Sequence, residues 1–250
     1  MTFHGFQVPR FAALLVWIVA WEIVGRFELM LLFPPFTEVL MAIGDVVGTP
    51  SFAHAAWITV VAYVGGLALA VVAGISLGLL MGLSDMADRL LNMWVNIFLS
   101  APLSALVPVI MILFGMGTPT VVVTVFMFAV WIIALDTRAG VRHVSPSLME
   151  MSRSFGAGRA TRLRLIFLSA LPEILAGVRL GVIRGVKGVV IGQLLVSIIG
   201  IGALFTMYSN NFLMAHFWAL ILILFAFALL LADMVGRLEA RVEYYAGARS

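Results

Sequence analysis

The sequence of 250 residues contains no cysteine and few charged residues. Without cysteine the chain can form neither a disulfide nor a thiolate metal site. Charged residues make up 11% of the chain and hydrophobic residues 63%, whereas soluble domains are about 25% charged and about half apolar. Because so little charge cannot cover a water-exposed surface, we expect lipid to be the main solvent of this protein.

Motifs of nucleotide hydrolysis and of catalysis are also missing. No G-x-x-x-x-G-K-[ST] pattern occurs, so the chain has no phosphate-binding loop and cannot hydrolyse a nucleotide alone. The run Gly74-Ile75-Ser76-Leu77-Gly78 matches the nucleophile-elbow pattern, but no strand precedes it, which favours packing glycines. The four histidines are not spaced as metal ligands or as a catalytic pair. We therefore expect a protein that is not an enzyme and holds no metal or cofactor of its own.

Six apolar runs are long enough to cross a membrane, which takes about 20 apolar residues in a helix. They predict spans at residues 8–25, 55–83, 93–114, 119–135, 175–199 and 217–235. A short amphipathic piece at 38–47 is expected to lie at the membrane interface. No linker or shift in composition divides the chain, so the sequence predicts one all-α, polytopic transmembrane domain over residues 1–250.

The distribution of Lys and Arg predicts the orientation of these spans. The gap between the fourth and fifth spans and the C-terminal tail hold most of the arginines: Arg138, Arg142, Arg153, Arg159, Arg162 and Arg164 in the gap, and Arg237, Arg241 and Arg249 in the tail. The gaps after the first, third and fifth spans hold one or none. With six spans, both termini and the Arg-rich gap are predicted to be cytoplasmic, and the basic character is explained without nucleic-acid binding.

Charged and amide side chains inside the fifth span are candidates for a solute pathway. Arg184 and Lys187 are three residues apart and share a helix face. A charge at the centre of a membrane helix costs about 2.5–3.5 kcal/mol, so it normally faces a cavity or a partner. Both residues could instead reach the cytoplasmic interface, and Asp136 is a possible mate. Gln193 could face the pathway or make an interhelical hydrogen bond.

The third span is interrupted by two prolines, Pro102 and Pro108, with Ser100 and Ser104 beside them. Proline frees backbone carbonyls, which at membrane depth must be buried in protein or line a cavity. This arrangement suits a pathway helix, and a simple structural kink is the alternative.

The Arg-rich gap predicts two short helices joined by a glycine corner. Pro146 is typical of a first helical turn, and the first helix is expected to reach about residue 155. The run Gly156-Ala157-Gly158 then predicts a turn, because glycine accepts backbone angles that other residues avoid. A second helix is expected at 159–168, and Pro172 predicts a break before the fifth span. A plain positively charged anchor would explain the arginines but not the glycine corner.

This segment resembles the coupling loop of ABC importer permeases, whose pattern is E-A-A, three residues, G, nine residues and I-x-L-P. Glu150, Gly156 and Ile166 stand at the positions of E, G and I. Met151 and Ser152 replace the two alanines. The usual proline is Ser169 here.

Further matches point to the subgroup of permeases for nitrate, sulfonates and taurine. That subgroup continues through Leu-Pro to G-x-R-L, and this chain has Leu171-Pro172 followed by Gly177-Val178-Arg179-Leu180. Other pieces occur in the order of the subgroup at residues 21–22, 32–35, 78–84, 108–117 and 200–202. The resemblance therefore covers nearly the whole chain.

The resemblance implies a type I ABC importer permease fold with six transmembrane helices and a cytoplasmic coupling loop at about 137–172. The loop residues implied to act in coupling are Glu150, Arg153, Gly156, Ala157, Gly158, Arg159, Ile166 and Pro172. Glu150 is expected to cap a helix or to pair with Arg153 or Arg159.

The resemblance also implies partners and a solute. The expected assembly is a homodimer in the bacterial inner membrane with two cytoplasmic ATPase subunits, which would bind ATP and Mg. A periplasmic or lipid-anchored binding protein would deliver a small anion such as a sulfonate, taurine, nitrate or an organic carboxylate. The alternative is a secondary transporter or channel without an ATPase, which an inverted repeat of broken helices would favour. No clear repeat is visible in the sequence.

Overall fold

The computed structural model describes residues 2–3, 6–7, 10–27, 32–196 and 198–247. Within these residues the chain is helical, apart from a two-residue antiparallel pair of strands, β1 (Thr2–Phe3) and β2 (Phe6–Gln7). The helices are α1 (Arg10–Arg26), α2 (Phe36–Val47), α3 (Pro50–Leu83), α4 (Asp85–Ser100), α5 (Val107–Phe114), α6 (Thr118–Arg142), α7 (Pro146–Ser154), α8 (Arg159–Ser169), α9 (Leu171–Val196), α10 (Gly200–Asn210) and α11 (Met214–Gly247), with a 3-10 helix at Leu103–Leu106. The all-helical prediction is confirmed, and Arg249 of the predicted basic tail lies outside the described residues.

The described helices account for up to five of the six predicted spans. Three are long and apolar enough to cross a membrane alone: α3, α6 and the Met214–Leu231 part of α11. Two bent pairs each supply a further candidate, α4 with the 103–114 segment and α8 with α9, bent by 95° and 55°. With 17 residues, α1 is at the short limit for a span. The count of six spans therefore stays a prediction.

The third predicted span is not one interrupted helix but two helices at a steep angle. α4 ends at Ser100, the 3-10 helix follows Pro102, and α5 begins at Val107. Pro102 lies at the break, and Pro108 lies in the first turn of α5, where no intrahelical N–H is needed. The predicted interruption at the two prolines is therefore present.

Glycines on one face of α3 let α6 approach it closely. A Cβ atom added to Gly74 would lie 2.8 Å from the Cβ of Ile133, and one added to Gly82 would lie 2.5 Å from the Cβ of Val141. Ser76, between these glycines, donates its hydroxyl to the carbonyl of Val72 at 2.7 Å. The glycines are therefore packing residues of a helix interior, and the elbow reading of this run has no support.

α9 packs against both α6 and α3 with a second glycine row. A Cβ on Gly177 would lie 2.7 Å from the Cβ of Asp136, and one on Gly181 would lie 2.7 Å from Cδ1 of Ile133. α3, α6 and α9 thus form the centre of the fold. A second core joins α2, α10 and α11 through buried residues such as Val39, Leu204 and Leu220.

Replacing Gly78 by alanine is expected to lower the stability of the fold by about 1–3 kcal/mol, since an added methyl overpacks a tight interface. Its Cβ would lie 2.6 Å from the carbonyl oxygen of Ala134 and would also clash with Thr137. Thermal unfolding of the purified protein in detergent measures the loss. Gly44→Ala is the control, because nothing lies within 4 Å of its added Cβ. Equal unfolding temperatures for the two variants would contradict this packing.

Candidate functional site

The Arg-rich loop has the two helices and the corner that its sequence predicts. α7 begins at Pro146 and α8 ends at Ser169, within a residue of the expected bounds. α9 then begins at Leu171 with Pro172 in its first turn, after the 55° bend. The break expected at Pro172 is therefore present.

The corner after α7 is a Schellman motif, the common left-handed helix end. Gly156 has φ +70°, and its N–H donates to the carbonyl of Arg153 at 2.9 Å. The N–H of Ala157 donates to the carbonyl of Ser152, also at 2.9 Å. Gly156 is thus required by its backbone conformation rather than by crowding, since nothing lies within 4 Å of a Cβ at Gly156 or Gly158.

The corner presents an aromatic side chain that the sequence reading missed. Phe155 is 84% exposed, and Met151, one turn earlier, is 50% exposed. Aromatic and methionine side chains are enriched at protein interfaces, and aromatic ones dominate their binding energy. The position of Phe155 directly before a turn glycine, in an otherwise basic loop, could have identified it.

The predicted partner of Glu150 is not found. Glu150 is exposed, and among the described residues its carboxylate makes no hydrogen bond or ion pair with Arg153 or Arg159. Its backbone carbonyl accepts from the Ser154 hydroxyl at 3.1 Å. The carboxylate is therefore available to a partner in this conformation.

The loop is fixed to the membrane helices by apolar contacts and leaves an open groove. Ile166 packs against a small core made of Val141, Ala170 and Ile174. Between α7 and α8 lies a cavity of about 230 Å³, lined by Met149, Arg159, Arg162, Leu163 and Ile166. The Nε atom of Arg162 is buried without a hydrogen-bond partner. The loop thus combines a rigid base with an exposed apolar tip and a basic groove.

An ion-pair cluster connects the start of α4 with the end of α6. Arg138 donates to both carboxylate oxygens of Asp88, from Nη2 at 2.7 Å and also from Nε. Arg142 contacts Asp85 at 2.8 Å and Asp88 at 3.1 Å. These contacts place the turn between α3 and α4 on the same side as the Arg-rich loop, which agrees with the predicted alternation of spans.

The two cations of α9 have different surroundings. Arg184 is half-buried, and among the described residues it forms no salt bridge with Asp136, so the pairing that the sequence suggested stays a prediction. Lys187 is exposed and lines a cavity of about 470 Å³ between α9 and α11, whose other lining residues are apolar. A shared anion-binding face for both residues stays a prediction.

Gln193 is not exposed to a pathway in this structure. Its side chain is 2% exposed, and its amide donates to the hydroxyl oxygen of Thr59 at 2.9 Å. Thr59 also accepts from the backbone N–H of Ile201 at 3.1 Å. The pathway reading of Gln193 is therefore corrected in favour of the interhelical hydrogen bond, which joins α3, α9 and α10.

The remaining pathway candidates lie around the break between α4 and α5. Ser100, Pro102, Ser104 and Pro108 are all exposed. The 3-10 helix that carries Ser104 lies against α9. Their accessibility is compatible with a pathway, and their role stays a prediction.

Known proteins similar to this chain are transport components of membranes. Residues 70–244 match the family model described as the binding-protein-dependent transport system inner membrane component. The taurine transport system permease protein TauC of Escherichia coli (strain K12) is 30% identical over 197 residues, which is 76% of this chain and 72% of that protein. The putative aliphatic sulfonates transport permease protein SsuC of the same strain is 29% identical over 161 residues, 64% of this chain and 61% of SsuC.

The bicarbonate transport system permease protein CmpB of Synechococcus elongatus is 29% identical over 151 residues, 59% of this chain and 54% of CmpB. A chain of the inward-facing MetNI methionine ABC transporter superimposes with a TM-score of 0.65 at 20% identity, covering 77% of this chain and 96% of that chain. The match in structure confirms the fold that the coupling-loop resemblance implied.

Proposed function

This chain belongs to the family of binding-protein-dependent transport system inner membrane components, and from that premise we propose that it is the membrane-spanning subunit of an ATP-driven importer for a small anion. Proteins of this family are permease components and not enzymes. The named solutes of three similar proteins are taurine, aliphatic sulfonates and bicarbonate. Each of these solutes carries an anionic group, which supports an anion such as a sulfonate, taurine, nitrate or an organic carboxylate as the cargo.

The coupling proposal rests on one observation, the Schellman corner with its exposed Phe155. The corner is held by two backbone hydrogen bonds, and Ile166 packs the following helix onto the membrane core. A rigid tip on a rigid base can transmit the movement of a docked partner to the spans. Glu150, Arg153, Gly156, Ala157, Gly158 and Arg159 surround the tip, and the docked partner would be an ATPase subunit that binds ATP and Mg.

The assembly and topology are part of the same proposal. Two copies of the chain would surround the solute path in the inner membrane, each with its own ATPase, and a binding protein would deliver the solute from the opposite side. The Lys and Arg bias favours cytoplasmic termini. The ion pairs from Arg138 and Arg142 to Asp85 and Asp88 support this topology, because they hold two predicted cytoplasmic segments together.

A secondary transporter or channel is the rival reading. It would need no partner at the glycine corner, so nothing would select for an exposed apolar tip there. The corner of this chain instead combines a tightly specified backbone with Phe155 and Met151 in the open. This combination favours a docked protein.

Phe155→Ala is expected to weaken ATPase binding about 30-fold, the factor that corresponds to about 2 kcal/mol for an interface hot spot. Binding of the purified ATPase subunit to the chain in lipid nanodiscs measures the effect. Phe212→Ala is the control, because Phe212 is also largely exposed, at 73%, but lies between α10 and α11. An unchanged affinity for Phe155→Ala, or an equal loss for both variants, would contradict docking at the corner.

A further inference from the structure

A stripe of polar side chains runs along α4. Arg89, Asn92, Asn96 and Ser100 follow one another at intervals of three and four residues, so they share one helix face. Arg89, Asn96 and Ser100 are exposed and Asn92 is half-buried. We call these four residues the polar stripe. Asp85, one turn before Arg89 on the same face, is paired with Arg142 at 2.8 Å.

The polar stripe lies between two other faces of the same helix. On one side α4 packs against the fold through buried Asp88 and Val95, and the ring of Phe98 stacks on Trp131 of α6 at 4.4 Å between centroids. On the other side α4 carries an exposed apolar face made of Met86, Leu90, Met93, Trp94 and Ile97. The stripe therefore borders both the protein interior and an apolar surface.

Two contacts with α6 show how deep α4 reaches. Asp88 pairs with Arg138, and Phe98 stacks on Trp131. The intervening ten residues of α4 rise about 15 Å, and the matching seven residues of α6 span about 10 Å. α4 thus climbs obliquely beside α6, which is long and apolar enough to span a membrane. Phe98 lies about 10 Å further along α6 than Asp88, which is within the hydrocarbon layer of about 30 Å if that layer begins near Arg138.

Polar side chains at that depth need an aqueous or protein environment, because lipid cannot satisfy them. Part of the requirement is met within the stripe, since Asn96 donates to the carbonyl of Asn92 at 2.7 Å and to its side-chain oxygen at 3.0 Å. Among the described residues, the side-chain NH2 group of Asn92 has no hydrogen-bond partner and the guanidinium of Arg89 has no ion pair. The stripe therefore offers free hydrogen-bond donors.

We propose that the polar stripe, continued by Ser104 beyond the break, lines the solute path and selects anions. This inference rests on the proposed import function. Arg89 supplies a positive potential, while the amide and hydroxyl groups donate to the oxygens of a sulfonate or carboxylate. Amide and hydroxyl donors bind an oxyanion without trapping it as a buried ion pair would, so the solute can move along the stripe.

Cysteine accessibility tests the proposal, and the absence of native cysteine makes each introduced thiol unique. Asn96→Cys and Ser100→Cys are compared with Met93→Cys and Ile97→Cys, which lie on the apolar face of the same helix. The transporter is purified with its ATPase, reconstituted in nanodiscs and treated with 2-sulfonatoethyl methanethiosulfonate. Since the thiolate is the reactive form, stripe positions in water are expected to react at least about tenfold faster than thiols facing lipid.

Other labelling patterns would overturn the proposal. Equal rates on both faces would mean that α4 lies in the aqueous interface. No reaction at Asn96→Cys, together with a disulfide between two copies, would make the stripe a contact between subunits. If the stripe thiols do not react although the purified assembly retains its ATPase, only this inference is contradicted. If no ATPase copurifies with the chain, the proposed function itself is contradicted.

Charge selection is tested with a second reagent of opposite sign. The test position is Asn96→Cys, which lies about 10 Å along α4 from Arg89. The rate for the sulfonate reagent at this thiol is divided by the rate for 2-(trimethylammonium)ethyl methanethiosulfonate, each relative to its reaction with a free thiol in water. Adding Arg89→Gln is expected to lower this ratio about fivefold, because a nearby positive charge concentrates anions. Arg237→Gln, at an exposed arginine of α11, is expected to leave the ratio unchanged. An unchanged ratio with Arg89→Gln would remove the selective role of Arg89.

Discussion

Replacing Gly156 by valine is expected to reduce ATP-driven solute uptake at least tenfold while the chain still inserts in the membrane. A β-branched residue at φ +70° is strained by roughly 1–2 kcal/mol. Relief of that strain breaks the hydrogen bonds from Gly156 to Arg153 and from Ala157 to Ser152 that define the corner. Phe155 then loses its fixed position, and the movement of the ATPase is no longer transmitted to the membrane helices. Uptake into cells and the ATPase content of the purified complex are the two measurements.

Gly156→Asn is the matched variant, since asparagine tolerates the left-handed conformation while adding a similar bulk. It is expected to keep most of the uptake. Equal losses for valine and asparagine would mean that bulk at the corner matters and backbone conformation does not. Normal uptake with Gly156→Val, at normal ATPase content, would contradict the assignment of the loop to coupling.

Removing Arg138 is expected to destabilise the fold by about 1.5–3 kcal/mol, because Arg138→Gln removes the two charge-assisted hydrogen bonds to the carboxylate of Asp88 and leaves it paired with Arg142. Asp88 is 8% exposed and takes two hydrogen bonds from Arg138. The double variant Asp88→Asn with Arg138→Gln is expected to recover most of the loss, since no buried carboxylate is then left without those hydrogen bonds. The unfolding temperatures of the single and double variants in detergent, compared in a double-mutant cycle, measure both effects.

The control for this cycle is Arg26→Gln. Arg26 pairs with Glu22 at 2.6 Å, but the Arg26 side chain is 67% exposed, so its loss is expected to leave the unfolding temperature nearly unchanged. Similar unfolding temperatures for Arg26→Gln and Arg138→Gln would contradict the structural role of the Asp88 cluster. A double variant no more stable than Arg138→Gln would contradict the buried-charge explanation.

The features that the sequence predicted well depend on local signals. Pro146 at a helix start and Gly156 at a helix end act through the backbone of their own turn, so the bounds of α7 and α8 could be predicted closely. Glycines at four-residue spacing likewise predicted the tight contact of α3 with α6. The spacing from Glu150 to Ile166 pointed to the family before any contact was known.

The features that could not be predicted depend on distant partners. Gln193 and Thr59 are 134 positions apart, and Asp88 and Arg138 are 50 apart, so neither pair is visible in the sequence. The steep angle between α4 and α5 follows from a break at Pro102, whereas Pro108 beside it is helix-compatible. The polar stripe of α4 was also not visible in the mean hydropathy of the third predicted span, because the apolar residues on the opposite face of the helix dominate that mean.

Crosslinking from the corner of the loop tests whether an ATPase subunit docks there. Ala157→Cys introduces the single thiol of an otherwise cysteine-free chain, one residue past Gly156, and a photoreactive group is attached to it in membranes of the source cell. After illumination the adduct is isolated and identified by mass spectrometry. We expect an adduct with a P-loop ATPase subunit, which is lost when Gly156→Val is added. Adducts with lipid alone, in membranes that carry out ATP-driven uptake through this chain, would contradict it.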